Sequence, residues 1–299
     1  MQNQSHLSGL EEEAVFIMRE TAGAFERPAL LFSGGKDSCV LLRLAEKAFG
    51  TGRFPFPLVM IDTGHNFAEV LAFRDQYIAQ LGAELIIRRV EDSIKRGSVR
   101  LTHEMESRNA HQSVTLMETV EEFGFDALIG GARRDEEKAR AKERIFSHRD
   151  HSGRWQPHAQ RPELWTLFNT RILAGEHFRV FPISNWTEAD VWRYIAKEKI
   201  PLASLYYAHW REVVQRNGLL VPVTPVTPLL PGERSEVRRV RFRTVGDMTC
   251  TCPVASEATS ADEVVRETML LTISERGATR MDDQICEASM ENRKKDGYF

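Results

Sequence analysis

The chain has 299 residues, of which 42% are hydrophobic and 28% charged, so it can bury the core of one large domain or of a domain with a smaller extension. A formal net charge of −3 argues against a basic protein that coats nucleic acid. The polar, acidic N-terminus is not typical of a signal peptide, and no apolar run approaches membrane-spanning length. Four cysteines are too few for a disulfide scaffold, which favours a cytoplasmic protein. From the charge and the lack of a long apolar run we expect neither nucleic-acid nor membrane partners.

The first predicted element is a helix over roughly 9 to 25. Val15, Met18 and Ala22 share one helical face, and Ser8 with Glu11 has the spacing of a capping box. We expect residues 1–26 to form an N-terminal helix that packs on the domain that follows.

The next two elements are a strand and a helix joined by a tight turn. Residues 29–32 form an apolar run that predicts a buried strand, and helical spacing of apolar residues predicts a helix from about 39 to 50. The turn between them is Ser33-Gly34-Gly35-Lys36-Asp37-Ser38. Glycines allow close approach to a ligand, and successive N–H groups before a helix form a cradle for anions. We expect this turn to bind nucleotide phosphates; an ordinary glycine-rich turn is the alternative.

Four further apolar runs alternate with predicted helices along the chain. The runs are 58–61, 85–87, 127–129 and 178–181, and the helices between them include 66–81 and 112–123. This alternation predicts an α/β fold with a Rossmann-like parallel sheet, whose ligands lie beyond the carboxyl ends of the strands. Asp62, Gly130 and Gly131 follow two of these strands, so we expect them to contact a nucleotide. For Asp62 a turn or helix cap is the alternative.

The stretch 131–144 carries six basic and four acidic side chains. A solvated helix with ion pairs one turn apart would explain it. Arg133 and Arg134, however, come directly after a predicted strand end, at the edge that carries the phosphate-binding turn. Guanidinium groups are fixed forks of donors, so we expect these two arginines to bind an oxyanion. For Lys138 and Arg140 both interpretations remain open.

The C-terminal part of the chain contains four prolines within 219–231, which is typical of a linker or an extended arm. We therefore expect a nucleotide-binding domain at 27–220 and an arm with an extension at 221–299. A helix is predicted from Ser260 to about 271. The aromatic end, Tyr298 and Phe299, indicates that the extension docks on a partner and covers part of the active site. Residues 91–110 have no clear period, and their role is open.

The turn at 33–38 resembles the Ser-Gly-Gly-x-Asp-Ser loop of the PP-loop ATP pyrophosphatase superfamily, and it is too short for a P-loop NTPase. Nearly end to end, the chain is similar to the small PP-loop subunits of the bacterial heterodimeric ATP sulfurylases. The motifs that carry this resemblance are Asp62-Thr63-Gly64, 130–144, Arg161-Pro162-Glu163-Leu164-Trp165, 180–188, Arg241-Phe242-Arg243-Thr244, Ser274-Glu275-Arg276 and Gly297-Tyr298-Phe299.

The resemblance implies adenylyl transfer from ATP to sulfate, which yields adenosine 5′-phosphosulfate and pyrophosphate in the first step of sulfate assimilation towards cysteine. It implies ATP as substrate and Mg²⁺, without haem, flavin or an iron–sulfur cluster, and it leaves the metal ligands open. The product anhydride is high in energy, so the family couples the reaction to GTP hydrolysis. The partner in the heterodimer would be a GTPase large subunit.

The resemblance also implies roles for individual residues. Catalysis falls to Lys36, Asp37, Arg133 and Arg134. Binding of ATP and pyrophosphate falls to Ser33, Gly34, Gly35, Lys36, Asp37, Ser38, Asp62, Gly130 and Gly131. Sulfate binding falls to Arg133, Arg134, Lys138 and Arg140. Sulfate is already an anion and needs no general base, so catalysis must come from positioning and charge stabilisation.

Other functions remain possible at this stage. The chain could be a PP-loop enzyme that adenylates another oxyanion, or a nucleotide-sensing subunit without catalysis. A reductase of the same fold would need a nucleophilic cysteine in a Glu-Cys-Gly segment, whereas Cys286 lies in Ile-Cys-Glu-Ala. A tRNA-thiolating relative would need catalytic cysteines and a basic surface, which the negative net charge disfavours.

Overall fold

A six-stranded, mostly parallel sheet forms the centre of the protein, in a computed structural model that describes residues 2–102 and 106–270. Its strands are β1 (Pro28–Leu31), β2 (Leu58–Asp62), β3 (Leu85–Arg89), β4 (Ala127–Ile129), β5 (Phe146–Arg149) and β6 (His177–Val180). They lie in the order β3-β2-β1-β4-β6-β5. The first five in this order pair in parallel, and β5 pairs antiparallel with β6 at the edge. The predicted α/β fold with a parallel sheet is confirmed.

Helices connect these strands and cover both faces of the sheet. They are α1 (Gln2–Ala24), α2 (Lys36–Phe49), α3 (Ala68–Leu81), α4 (Val90–Arg96), α5 (Gln112–Phe123), α6 (Lys138–Ala141), α7 (Glu188–Glu198) and α8 (Ala261–Met269). Helix α1 begins at Gln2, so the predicted capping box at Ser8 is wrong. Helix α4 and strand β5 have no clear apolar period, and neither was specifically predicted.

The two faces of the sheet bury different apolar side chains because successive residues of a strand point in opposite directions. Leu30 and Leu58 pack in the core formed with α1, α2 and α7. Ala29 and Val59 pack on the opposite face, where Leu116 of α5 covers them. The carboxyl ends of β1, β2 and β4 therefore lie between two helical layers, and the loops that follow them share one edge.

A second, antiparallel sheet follows the first in the chain. Its strands are β7 (His209–Arg216), β8 (Leu219–Pro222), β9 (Glu236–Arg241) and β10 (Val254–Ala255), in the order β10-β9-β7-β8. Asn217 and Gly218, with φ of 49° and 80°, form the two-residue turn between β7 and β8. The boundary predicted after residue 220 falls inside β8, and this sheet runs on both sides of it. The arm proposed from the prolines therefore starts as a paired strand.

The described part of the chain ends just after α8. The Ser260 side chain accepts the N–H of Glu263 at 3.4 Å, which confirms the predicted start of this helix. The motif 274–276, Cys286 and the terminal Tyr298 and Phe299 lie outside the described residues, so the docking prediction for the terminus stays a prediction. Across 2–102 and 106–270, no helix has both the length and the apolarity needed to cross a membrane.

Candidate functional site: an anion cradle at the carboxyl edge of the parallel sheet

The turn between β1 and α2 is a compact, hydrogen-bonded cradle. The N–H of Gly35 donates to the Ser33 hydroxyl at 3.3 Å, and the Ser38 hydroxyl donates to the Gly35 carbonyl at 2.8 Å. Gly35 is the N-cap of α2, so the first N–H groups of this helix point into the turn. An anion placed there meets both these N–H groups and the positive end of the helix dipole.

Two glycines are required by the geometry of the cradle. Gly34 has φ of +73°, which side-chain-bearing residues rarely adopt, and a Cβ atom there would lie 2.8 Å from Cγ1 of Val70. Gly131, after β4, would place a Cβ atom 2.9 Å from Cβ of Asp37. Gly131 thus lets the loop after β4 pack directly against the first turn of α2.

A chain of charges runs along this contact. Lys36 is fully buried, and its Nζ lies 3.0 Å from Oδ2 of Asp37. The other carboxylate oxygen of Asp37 accepts a hydrogen bond from the guanidinium of Arg133. Arg133 is buried, and its Nε donates to Asp135 at 3.1 Å. Burial raises the pKa of Asp135, although Arg133 opposes that shift. Asp37 and Asp135 together hold the guanidinium of Arg133 next to the first turn of α2.

A cavity of about 250 Å³ opens beside the cradle. Its charged end includes Lys36, Asp37, Glu136 and Arg140, and Arg140 pairs with Glu136 at 3.4 Å. The remaining lining residues are Leu31, Phe32, Ser33, Gly35, Ser38, Val59, Ile61, Asn109, Gln112, Ser113, Leu116, Gly130, Gly131, Ala132, Tyr206, Thr244, Val245 and Gly246. One end is therefore polar and charged, and the other is lined by aliphatic side chains of β1, β2 and α5.

Tyr206 is a site residue that the sequence interpretation missed. It lies 170 residues beyond Lys36 in the chain, is buried, and lines the cavity. Its hydroxyl accepts the backbone N–H of Lys36 at 2.8 Å. The hydroxyl satisfies one of the N–H groups at the start of α2 that have no partner within the helix, and it anchors the first residue of this helix. No local pattern around Leu205-Tyr206-Tyr207 distinguishes this tyrosine from a core aromatic.

Two of the residues that we expected at the site, Asp62 and Arg134, have partners outside the cavity, and neither Gly34 nor Arg133 is among the residues that line it. Asp62 accepts the N–H of Gly64 at 2.8 Å, which is the turn interaction considered as the alternative, and it is not among the residues that line the cavity. Arg134 donates to Asn185 and, at 3.4 Å, to the Glu143 carbonyl. Its side chain does not line the cavity either. The side chain of Lys138 lies outside the described part of the structure.

The loop after β9 closes the cavity from the far side. Thr244, Val245 and Gly246 line it, and the loop is tied to the end of β2 because the N–H of Met248 donates to the His65 carbonyl at 2.8 Å. The neighbouring Asp247 is buried, and its Oδ2 lies 3.7 Å from Nδ1 of His65. Burial lowers the pKa of His65. The second sheet thus supplies a wall to a site whose floor belongs to the first.

The fold and the cradle define the class of protein. The family model described as the phosphoadenosine phosphosulfate reductase domain matches residues 27–253, so the chain contains this domain. It is 56% identical over 295 residues, which is 99% of this chain and 95% of the relative, to the sulfate adenylyltransferase subunit 2 of Mycolicibacterium vanbaalenii. It is 55% identical, over the same shares, to the protein of that name from Mycobacterium bovis. The chain belongs to the sulfate adenylyltransferase subunit 2 family, a family of nucleotidyltransferases.

This result confirms the family that the sequence motifs indicated. The solved structure of the FMN adenylyltransferase of Candida glabrata is a more distant neighbour, with 14% identity and a TM-score of 0.49 over 92% of this chain and 88% of that one. That likeness is too distant to bear on function.

Proposed function

We propose that this chain transfers the adenylyl group of ATP to sulfate and releases pyrophosphate. The observation that carries the proposal is one cavity lined by the anion cradle, by the buried Arg140 and by an apolar end, with the buried Arg133 bonded to Asp37 of the cradle. The family to which the chain belongs supports the same reaction. The proposal unites the two substrates at the carboxyl edge of the sheet, where open α/β sheets bind their ligands.

ATP would lie with its phosphates on the cradle. The N–H groups at the start of α2 and the ammonium of Lys36 would hold the β- and γ-phosphates, the future pyrophosphate. Ser33 and Ser38 would supply hydroxyl groups to the same oxygens. Gly130 and Gly131 would leave room for the α-phosphate beside the first turn of α2. The apolar end of the cavity would receive the base.

Sulfate would bind at Arg133 and Arg140 rather than at the predicted pair Arg133 and Arg134. Arg133 already contacts a carboxylate at the cradle, and Arg140 lines the cavity next to Glu136. Arg134 donates to groups outside the cavity, so we assign it the task of holding the loop after β4 in place. The sulfate role predicted for Lys138 stays a prediction.

In the reaction a sulfate oxygen attacks the α-phosphorus, an S–O–P bond forms, and the bond from that phosphorus to the bridging oxygen of pyrophosphate breaks. No proton has to leave the nucleophile. The site must instead overcome repulsion between two anions, and the arginines do this by neutralising sulfate while they align it. Lys36 and the cradle N–H groups stabilise the charge that grows on the leaving group.

A Mg²⁺ ion fits the residues at the charged end. The carboxylates of Asp37 and Glu136 are hard oxygen ligands, and Mg²⁺ in nucleotide sites binds one or two carboxylates together with substrate phosphates. The ion would neutralise phosphate charge. Within the described ranges, no group of three or more His, Cys, Asp or Glu side chains is arranged to hold a metal alone, so the substrate would complete the coordination.

A partner subunit completes the proposed enzyme. Relatives named subunit 2 imply a hetero-oligomer. We infer that the partner is a GTPase, because the product anhydride lies far above its substrates in free energy and this chain has no P-loop motif for GTP. We also infer that the segment from residue 221 covers the site, since residues 244–246 line the cavity, and that it contacts the partner. A cytoplasmic location would supply both nucleotides.

The test is sulfate-dependent exchange of pyrophosphate into ATP, measured on the complex with its partner subunit. Arg140→Lys keeps the charge but loses the fork, so we expect the KM for sulfate to rise about tenfold while the KM for ATP changes little. Arg134→Lys is the matched control and should leave the KM for sulfate near the wild-type value. A larger effect at Arg134 than at Arg140 would favour sulfate binding at Arg133 and Arg134, as the sequence predicted. ATP binding without any sulfate-dependent exchange would contradict the proposed function.

A further inference from the structure

The first turn of α5 and the residues before it form a polar wall of the cavity with no role so far. Asn109, Gln112 and Ser113 line the cavity, and Leu116 follows Gln112 by one helical turn on the same face. Asn109 belongs to the stretch 91–110, whose sequence shows no clear period, whereas Gln112 and Ser113 begin the helix predicted over 112–123. The structure brings it to the apolar end of the site.

Two of these polar side chains are held by neighbours. The amide nitrogen of Gln112 donates to Oδ1 of Asn109 at 2.9 Å, and Asn109 is only 4% exposed. The hydroxyl of Ser113 donates to the carbonyl of Ala110 at 2.9 Å, so its proton serves the backbone. Gln112, which is half-buried, is therefore the oriented carboxamide of this wall, with Asn109 as its support.

The wall stands beside an aliphatic slot. Leu31 is the last residue of β1, Val59 is the second residue of β2, and Leu116 packs against Val59 from the helical layer. Ile61 extends this surface along β2. Leu31 precedes Ser33 by two residues, so the slot adjoins the cradle within the length of one nucleotide. A flat, largely apolar ring fits such a slot, and its polar edge would face Gln112.

We propose that Gln112, positioned by Asn109, reads the edge of the adenine base and selects ATP over GTP; this rests on the proposed function. One N–H of the Gln112 amide is held by Asn109. The other N–H would donate to N7, and Oε1 would accept from the 6-amino group, the pairing that a carboxamide makes with adenine. Guanine presents a carbonyl oxygen instead of the amino group, so two acceptors would face each other. Discrimination matters here because the proposed partner consumes GTP.

Nucleotide analogues test this pairing atom by atom. Purine riboside triphosphate lacks the 6-amino group, and 7-deaza-ATP lacks the N7 acceptor. We expect the wild-type complex to bind each analogue roughly tenfold more weakly than ATP, and GTP more weakly still. In Gln112→Ala the ratio of the dissociation constant of each analogue to that of ATP should fall towards one, with the KM for sulfate unchanged. Asn109→Ala should lower the same ratios part of the way, because the amide of Gln112 is then no longer oriented.

Gln80→Ala is the matched control, because Gln80 is exposed on α3 away from the cavity and should keep the wild-type ratios. Binding is measured at equilibrium, without turnover, so this test does not depend on adenylyl transfer. A complex without pyrophosphate exchange would contradict the proposed function, and its recognition of adenine could still be measured. Equal binding of ATP and purine riboside triphosphate by the wild-type complex would overturn the proposal. Wild-type ratios in Gln112→Ala would overturn it as well.

Discussion

The parallel and antiparallel sheets of this protein contribute to one site in opposite ways. In the parallel sheet the central strands β1, β2 and β4 are short apolar runs, and the cradle follows β1 immediately in the chain. In the antiparallel sheet β7 buries only the neighbouring Val213 and Val214 and carries the polar residues His209, Arg211, Glu212 and Arg216. Its contributions to the cavity lie in loops far along the chain. The first region supplies the cradle to which we assign the phosphates, and the second region supplies residues 244–246 on the opposite wall of the cavity.

The two regions are joined by charged contacts rather than by a shared sheet. Arg243, which follows β9, donates to Glu188 of α7 at 2.6 Å, and both side chains are buried. Arg211 of β7 pairs with Glu69 of α3 in a partly exposed contact. The buried pair is costly to break because one charge is left without its partner. The loop that carries residues 244–246 is therefore held in register with the cradle.

The largest expected effect is on the first region. Lys36→Ala removes the buried ammonium at the cradle, and we expect the turnover number to fall about a hundredfold or more, since the charge of the leaving pyrophosphate loses its partner. Pyrophosphate exchange measures this. Lys47→Ala, on the same helix and paired with Glu11 and Glu198, is the control and should keep turnover. Near-normal turnover in a folded Lys36→Ala protein would remove Lys36 from the mechanism.

Gly131→Ala tests the contact that brings β4 against α2. The added methyl group would lie 2.9 Å from Cβ of Asp37 and 3.3 Å from its backbone carbon, so the backbone must shift. We expect a loss of about 1–3 kcal/mol in the free energy of unfolding, with weaker ATP binding. Unfolding in denaturant measures the loss in the free energy of unfolding.

Gly9→Ala is a control for which we expect the opposite change in the free energy of unfolding. A Cβ atom there meets nothing within 4 Å, and Gly9 lies inside α1, so this change should stabilise the protein by about 0.5–1 kcal/mol. If both substitutions shifted stability in the same direction, the close contact at Gly131 would not be the cause.

Tyr206→Phe measures what the later part of the chain adds to the cradle. The hydroxyl that accepts the Lys36 N–H disappears while the ring stays, so we expect a roughly tenfold fall in kcat/KM for ATP with little change in thermal stability. Tyr207→Phe is the neighbouring control, since Tyr207 packs its ring on Trp192 and does not line the cavity. Equal effects at both positions would contradict a specific role for the hydrogen bond between Tyr206 and the Lys36 N–H.

The smallest effect concerns the second sheet alone. Arg216 pairs with Glu233 at 2.6 Å, and this hydrogen bond lowers the pKa of Glu233 to about 2. Because the folded pKa lies below the unfolded one, the pair stabilises the fold above about pH 4.5 and loses that contribution as the pH falls towards 2. Glu233→Gln should therefore lose less thermal stability than the wild type over this window, with activity at neutral pH unchanged. Arg216→Gln should have the same flatter profile, and a steeper one would contradict the assignment.

The sequence interpretation succeeded where local signals coincide with burial. The central strands β1, β2 and β4 are apolar runs, and the Ser260 side chain caps the helix that was predicted to start there. It failed at β5, which runs Phe-Ser-His-Arg and buries a histidine and an arginine against the rest of the fold. Asn217-Gly218 is a strong hairpin signal, but the prolines that follow it favour an unpaired arm, so the hairpin of β7 and β8 is absent from the prediction.

By itself, the sequence determined the phosphate cradle, the parallel sheet that presents it and the family of the protein. Those features depend on residues that are close together in the chain: a strand, two glycines, a lysine and the helix start. The tertiary structure alone decided that Arg140 rather than Arg134 faces the cavity, and that Asp62 closes a turn. It alone placed Tyr206 and residues 244–246 at the site, because a contact between residues far apart in the chain leaves no local pattern in either segment.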